Sequence, residues 1–176
     1  MIRHLTQADY RAQPWANGRG ETLELCRRDS TRGMLWRLSV AMVAEDGPFS
    51  RLDGIERVLT VIDGPGFDLV GDGMRLRADP MRPLAFAGEA ALAAKGVSAP
   101  SRDFNLMVAR GSVGATLTVG REGQAQAETV ALFSPTGGLV TVNGGLIRLE
   151  PLDLVLTQGL AIFRAEAPLI AVTLEA

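Results

Sequence analysis

Apolar side chains alternate with polar ones through most of this chain, and Gly, Pro, Asn or Asp interrupt the alternation at short intervals. Period-two alternation is the signature of a strand with two unlike faces. Within Thr22–Arg27, Leu23 and Leu25 share one face. From Trp36 to Val43, the residues Trp36, Leu38, Val40 and Met42 fall on one side, with Arg37, Ser39 and Ala41 on the other. The next strand, Ile55–Ile62, sets Ile55, Arg57, Leu59 and Val61 together. Asp46-Gly47-Pro48, Leu52-Asp53-Gly54 and Asp63-Gly64-Pro65-Gly66 are breaks between strands. Gly71-Asp72-Gly73 between Phe67–Val70 and Met74–Arg77 predicts a tight hairpin, as does Asn143-Gly144-Gly145 further on. Residues 1–13 predict a short strand followed by a turn or one helical turn. Residues 87–102 are the loosest segment and read as a connection, with a short helical turn over Ala90–Lys95. Strands resume at Asp103–Val108, Ala115–Val119, Val130–Phe133, Gly138–Val142, Leu146–Leu149, Asp153–Leu156, Ala161–Phe163 and Leu169–Leu174. Many short strands separated by turn residues predict an all-β sandwich or barrel. Val58–Gly64 and Leu139–Gly144 echo one another weakly, which chance explains as well as duplication does.

Composition narrows the function. The chain has 176 residues, enough for one domain or two small fused halves. Its formal net charge of -2 and lack of Lys/Arg-rich runs argue against nucleic acid or anionic lipid as a partner. No apolar run approaches the roughly 18 residues of a membrane span. The first residues, MIRHLTQADY, lack the apolar core of a signal peptide, so a cytoplasmic protein is expected. A single cysteine, Cys26, leaves no internal disulfide and reads as a half-buried core residue. The single histidine, His4, and the absence of D-x-D-x-D-G spacing predict no bound metal. There is no G-x-S-x-G elbow and no Walker-type G-K-[ST]. No cofactor is expected.

What remains is a set of arginines and amides. Arg37 and Ser39 share a face of one strand, Arg57 opens the next, and Asp103 and Asn105 share a face of a third. Trp15 and Asn17 lie on the turn before the first long strand. Arginine offers a planar fork that matches a carboxylate, and the amide, hydroxyl and indole groups would orient the ligand. The same residues would equally suit a structural pair, Arg37 or Arg57 with Asp103, tying strands together.

These motifs resemble the HutD/Ves family of cupin-fold proteins. The matching stretches are Trp15 to Thr22, Trp36 to Ala41, Gly47 to Ser50, Gly54 to Arg57, Asp103 to Met107 and Leu152-Asp153. The resemblance implies a bicupin, that is, a double-stranded β-helix with two β-barrel halves in one compact unit spanning 1–176. The halves would fall at about 1–95 and 103–176. It also implies that Phe49, Ser50 and Arg51 stand where metal-binding cupins place histidines. Family members are associated with histidine utilisation and the Ves branch with stress response. The expected role is a non-enzymatic regulator that binds a small anionic metabolite, formylglutamate- or urocanate-like. Its ligand-binding residues would be Trp15, Asn17, Arg37, Ser39, Arg57, Asp103 and Asn105, with no catalytic residue and no assigned protein partner. Two alternatives stay open: a metal-independent isomerase or hydrolase with Asp103 or Glu56 as base, and an interaction protein with a vestigial cleft.

Overall fold

The computed structural model describes residues 1–14 and 21–175. Fifteen strands, numbered in chain order, and one 3-10 turn at Gln7–Asp9 make up its regular structure, with no α-helix among the described residues. The chain separates into two compact units. One runs from Arg11 to Ser112, and the other joins Met1–Tyr10 to the chain from Val113 onward.

The central unit, Arg11–Ser112, holds two antiparallel sheets. The larger comprises β2 (Arg11–Pro14), β3 (Glu21–Ser30), β4 (Gly33–Val43), β11 (Ser101–Ala109), β6 (Ile55–Asp63) and β9 (Leu84–Ala87), hydrogen-bonded in that order. The smaller comprises β5 (Gly47–Pro48), β10 (Ala93–Lys95), β7 (Phe67–Gly71) and β8 (Met74–Ala78). Leu59, Val61 and Phe86 from the larger sheet pack with Phe67, Leu69, Ala78 and Ala94 from the smaller, so the core lies between the sheets. The other face of the larger sheet is buried too, through Trp36, Leu38, Val40, Phe104 and Leu106. This explains why β11 reads as an almost continuous apolar run rather than a clean alternation. Only Met42 departs from the expected apolar face of β4, at 41% exposed.

The terminal unit is built on two long strands, β12 (Gly114–Phe133) and β15 (Leu154–Glu175). These replace five shorter strands expected from the sequence. β12 pairs with β15 in successive registers: Gly114–Gly120 with Leu169–Glu175, then Glu122–Ala127 with Gly159–Arg164. Residues 130–133 finally lie between 154–157 and 170–173 of the same partner. Register shifts at Gly120/Glu122 and around Thr129 bend the strands over a core that includes Val130, Leu132, Phe163 and Leu169. β13 (Gly138–Val142) and β14 (Gly145–Leu149) extend this sheet, and β1 (Arg3–Leu5) pairs with residues 154–156 of β15. The expected helical turn over Ala90–Lys95 is not formed. Ala93–Lys95 is strand β10, paired with β5 and β7, because cross-strand pairing overrides the helix preference of alanine.

Candidate functional site

Register in the larger sheet brings five of the seven residues expected in the site onto one face. Met107 of β11 lies opposite Arg37 of β4 and Arg57 of β6, and Arg57 lies opposite Phe86 of β9. The next row on that face runs Glu24, Ser39, Asn105, Leu59 and Leu84, and the third places Asp103 between Ala41 and Val61. Arg37 and Arg57 are therefore two strand spacings apart, roughly 10 Å, with Met107 between them. Ser39, Arg57, Asp103 and Asn105 are buried, and Arg37 is half-buried. Trp15 and Asn17 lie outside the described residues.

The two arginines live in different electrostatic company. Arg37 Nε sits 3.0 Å from Glu24 Oε2, and its Nη2 donates to Gln13 Oε1 at 3.0 Å. Glu24 is itself buried, at 7% exposed, so Arg37 has a buried counter-charge. Arg57 has none: among the described residues no carboxylate lies within ion-pair distance of it. Its Nη1 donates to the Ser50 carbonyl and its Nη2 to Asn105 Oδ1, both at 3.3 Å, while Nε is buried without a partner. The guanidinium carbon lies 5.4 Å from the ring centre of Phe49 and 5.0 Å from that of Phe86, within cation–π range. Burial is the main influence on Arg57 and lowers its pKa to about 10, so the group still carries its charge at neutral pH.

Phe49, Ser50 and Arg51 have distinct tasks here. Phe49 and Ser50 supply an aromatic face and a carbonyl to Arg57. Arg51 is exposed and donates to the Glu89 carbonyl at 3.0 Å. Two of the three positions implied to carry histidines in metal-binding cupins, Phe49 and Ser50, thus support the Arg57 cation. Among the described residues, no three His, Cys, Asp or Glu side chains converge in a way that would hold a metal ion.

Asp103 completes the site. It is 1% exposed, and its Oδ2 accepts from Asn105 Nδ2 while its Oδ1 has no partner. Burial pushes its carboxyl up to about 7, against the opposing effects of Asn105 and Arg57. Ser39 Oγ, also buried, is unpartnered. The structural pair considered from the sequence is not formed. Arg37 pairs with Glu24, and Arg57 reaches Asp103 only through the bridging amide of Asn105. Glu56, the other candidate base, falls on the opposite face from Arg57 and is engaged by Arg110 at the edge of the unit.

Sequence reasoning missed Glu24, Gln13, Phe49, Phe86 and Met107. Glu24 carried a signal, being a charged residue in the middle of an alternating strand. Phe49 and Phe86 reach Arg57 from outside its own strand, which period-two patterns do not reveal. The terminal unit has its own open depression of about 480 Å³, bordered by Glu122, Gln124, Thr141, Ile162 and Arg164. Its charged groups, Arg164 and Glu122, are exposed and satisfy each other at 2.9 Å, so it lacks the unpaired buried polarity of the Arg57 site.

A family model described as HutD matches residues 7–171. The chain belongs to the HutD family. A 21.2 kDa protein of the hutC 3′ region in Pseudomonas putida is 41% identical over 118 residues, covering 62% of this chain and 59% of that relative's length. Protein Ves of Escherichia fergusonii is 34% identical over 157 residues, covering 86% of this chain and 79% of the relative. Among solved structures, HutD from Pseudomonas fluorescens SBW25, described under a formate condition, superposes with a TM-score of 0.88 at 32% identity. That match covers 99% of this chain and 98% of the other. A cupin 2 conserved barrel domain protein from Leptotrichia buccalis has a TM-score of 0.57 at 9% identity over 86% of this chain and 87% of its own. That likeness establishes a cupin-like all-β fold and nothing finer. The HutD match includes every residue of the Arg57 site.

Proposed function

We propose that this HutD-family protein binds a small organic carboxylate at Arg57 and acts as a regulator in histidine utilisation. The observation that carries the reading is the buried Arg57 guanidinium, charged at neutral pH and without a carboxylate partner among the described residues. A buried cation held only by neutral oxygens and aromatic faces is costly, and an incoming anion removes the cost. Arg37, already balanced by Glu24, orients the ligand from the neighbouring position. The metabolic setting rests on family membership and on the hutC-region relative. The ligand is formylglutamate- or urocanate-like, the chain is a bicupin, and the protein works in the cytoplasm.

Isothermal calorimetry with formylglutamate and urocanate tests this. Arg57→Ala is expected to weaken binding by roughly 1.5–3 kcal/mol, the scale of a charge-assisted bond, and Arg37→Ala by less. Equal affinity in wild type and Arg57→Ala would remove the basis for the proposal. A second reading has one observation in its favour: a buried carboxyl near pH 7, at Asp103, suits a general base. Turnover of either compound in metal-free buffer, lost in Asp103→Asn, would support that reading, and no turnover in wild type would end it.

A further inference from the structure

Among the described residues, the buried and half-buried charges on the inner face of the central unit already balance when Asp103 is ionised. Among the described residues, Asp103 shares its face with Arg57 of β6, Arg37 of β4 and Glu24 of β3. Beyond these, β2 adds the neutral Gln13 and an exposed Arg11, Asp63 sits exposed, and the exposed Arg27, 3.8 Å from Glu24, is balanced by Asp29 at 2.6 Å. From the opposing sheet come Phe67, Leu69 and Ala94, which bring no charge. With Asp103 ionised, two arginines balance two carboxylates, and a bound monoanion leaves an excess negative charge in a buried space. With Asp103 protonated, the face carries one net positive charge, and a monoanion neutralises it.

The hydrogen bonds point the same way. Asn105 uses its N–H on Asp103 Oδ2 and its carbonyl on Arg57, so Asp103 Oδ1 is the carboxyl atom left buried and unsatisfied. An ionised Oδ1 offers an anionic ligand only repulsion. A protonated Oδ1 offers it a donor, on the same sheet face that carries the unpartnered Nε of Arg57 and Oγ of Ser39.

We propose that Asp103 carries the proton of a coupled binding event, so that the site takes up a carboxylate and one proton together. This rests on the anion-site reading of Arg57 and adds to it a regulator of affinity, the ambient pH. The burial that raises the Asp103 carboxyl to about 7 places the sensitive range just above neutrality.

The test titrates acetate and propionate, monoanions that stay ionised over the range used, into the full chain from pH 6.5 to 8.5. Calorimetry in Tris and in bis-tris propane, whose protonation enthalpies differ, reads the proton uptake. The expected result is about one proton taken up per ligand above pH 7 and affinity falling up to tenfold per pH unit there. Asp103→Asn, which mimics the neutral acid, should bind with a flat pH profile. If that variant melts early, the two-buffer measurement on wild type decides alone. Arg57-dependent binding that is flat with pH and takes up no proton overturns the coupling and leaves the anion site standing. Absence of saturable binding at every pH overturns both.

Discussion

At the scale of single residues, Arg57 separates function from stability. It is 6% exposed between Phe49 and Phe86, and no carboxylate among the described residues lies within ion-pair distance of it. Replacing a buried charge with an apolar side chain of similar volume is often neutral or stabilising. Arg57→Leu is therefore expected to melt within a few degrees of wild type, or above it, while losing carboxylate binding. A loss of more than about 3 kcal/mol in a urea titration would mark Arg57 as structural. Asp103 gives a second test. Its folded-state carboxyl titrates near 7, above the ordinary aspartate value, so the folded chain holds a proton that the unfolded chain has released. Stability from this group is full below about pH 4 and is lost as pH rises toward 7, with a limiting slope of about 1.4 kcal/mol per unit. Asp103→Asn should abolish that slope and be the more stable protein at pH 8, as urea titrations at several pH values would show. Which of these residues share a face was legible in the sequence, because alternation assigned Arg37 with Ser39 and Asp103 with Asn105. Their unequal charge balance was not, since Glu24 and the two phenylalanines reach the site across strands.

Individual elements were legible where backbone chemistry is local. The two hairpins read from Gly71-Asp72-Gly73 and Asn143-Gly144-Gly145 form as expected. Asp72 and Gly73 take φ of 49° and 72°, and Asn143 and Gly144 take 49° and 83°, the paired positive values of a type I′ turn. The long strands β12 and β15 were not legible as such. Their register shifts fall beside Gly120 and around Thr129, between stretches that in a sequence look like separate strands. Glycine has a further meaning before β7. Gly66 and Gly73 have nearly the same φ, 77° and 72°, so alanine is strained by a similar amount at either. A Cβ at Gly66, however, would lie 2.0 Å from the Ala78 carbonyl oxygen, whereas one at Gly73 meets nothing within 4 Å. Gly73→Ala should cost about 1 kcal/mol, the conformational penalty alone, and Gly66→Ala clearly more, because backbone must move. Paired thermal or urea melts isolate the difference, and equal costs would show that β7 and β8 part without penalty.

At the scale of the whole molecule, the chain begins and ends in the same unit. Period-two patterns describe strands one at a time and say little about which distant strands pair, so the partner of the first ten residues had no signal in the sequence. In the structure, Arg3–Leu5 pair with residues 154–156 of β15, and His4 Nε2 lies 2.7 Å from Asp153 Oδ2. The Tyr10 hydroxyl donates to the Leu152 carbonyl at 2.7 Å, and Gln7 donates to the Pro151 carbonyl at 3.2 Å. Leu152, one of four non-glycine residues at positive φ among the described residues, is held at 72° beside these contacts. Asp153 is 2% exposed, so removing His4 strips a partner from a buried carboxylate, although Asp153 Oδ2 keeps the Glu150 N–H at 2.8 Å. The N-terminal segment thus clasps the 150–156 region at several points, each worth about 1 kcal/mol by itself. Deleting residues 2–9 is expected to raise amide exchange across 152–156 and to lower the melting temperature. Tyr10→Phe, which removes one bond, should do so by a fraction of that amount. Hydrogen exchange read by mass spectrometry resolves the two. If exchange over 152–156 is unchanged in the deletion, β1 is a passive edge strand, and Leu152 keeps its unusual backbone through the Ser134 carbonyl that accepts its N–H at 2.8 Å.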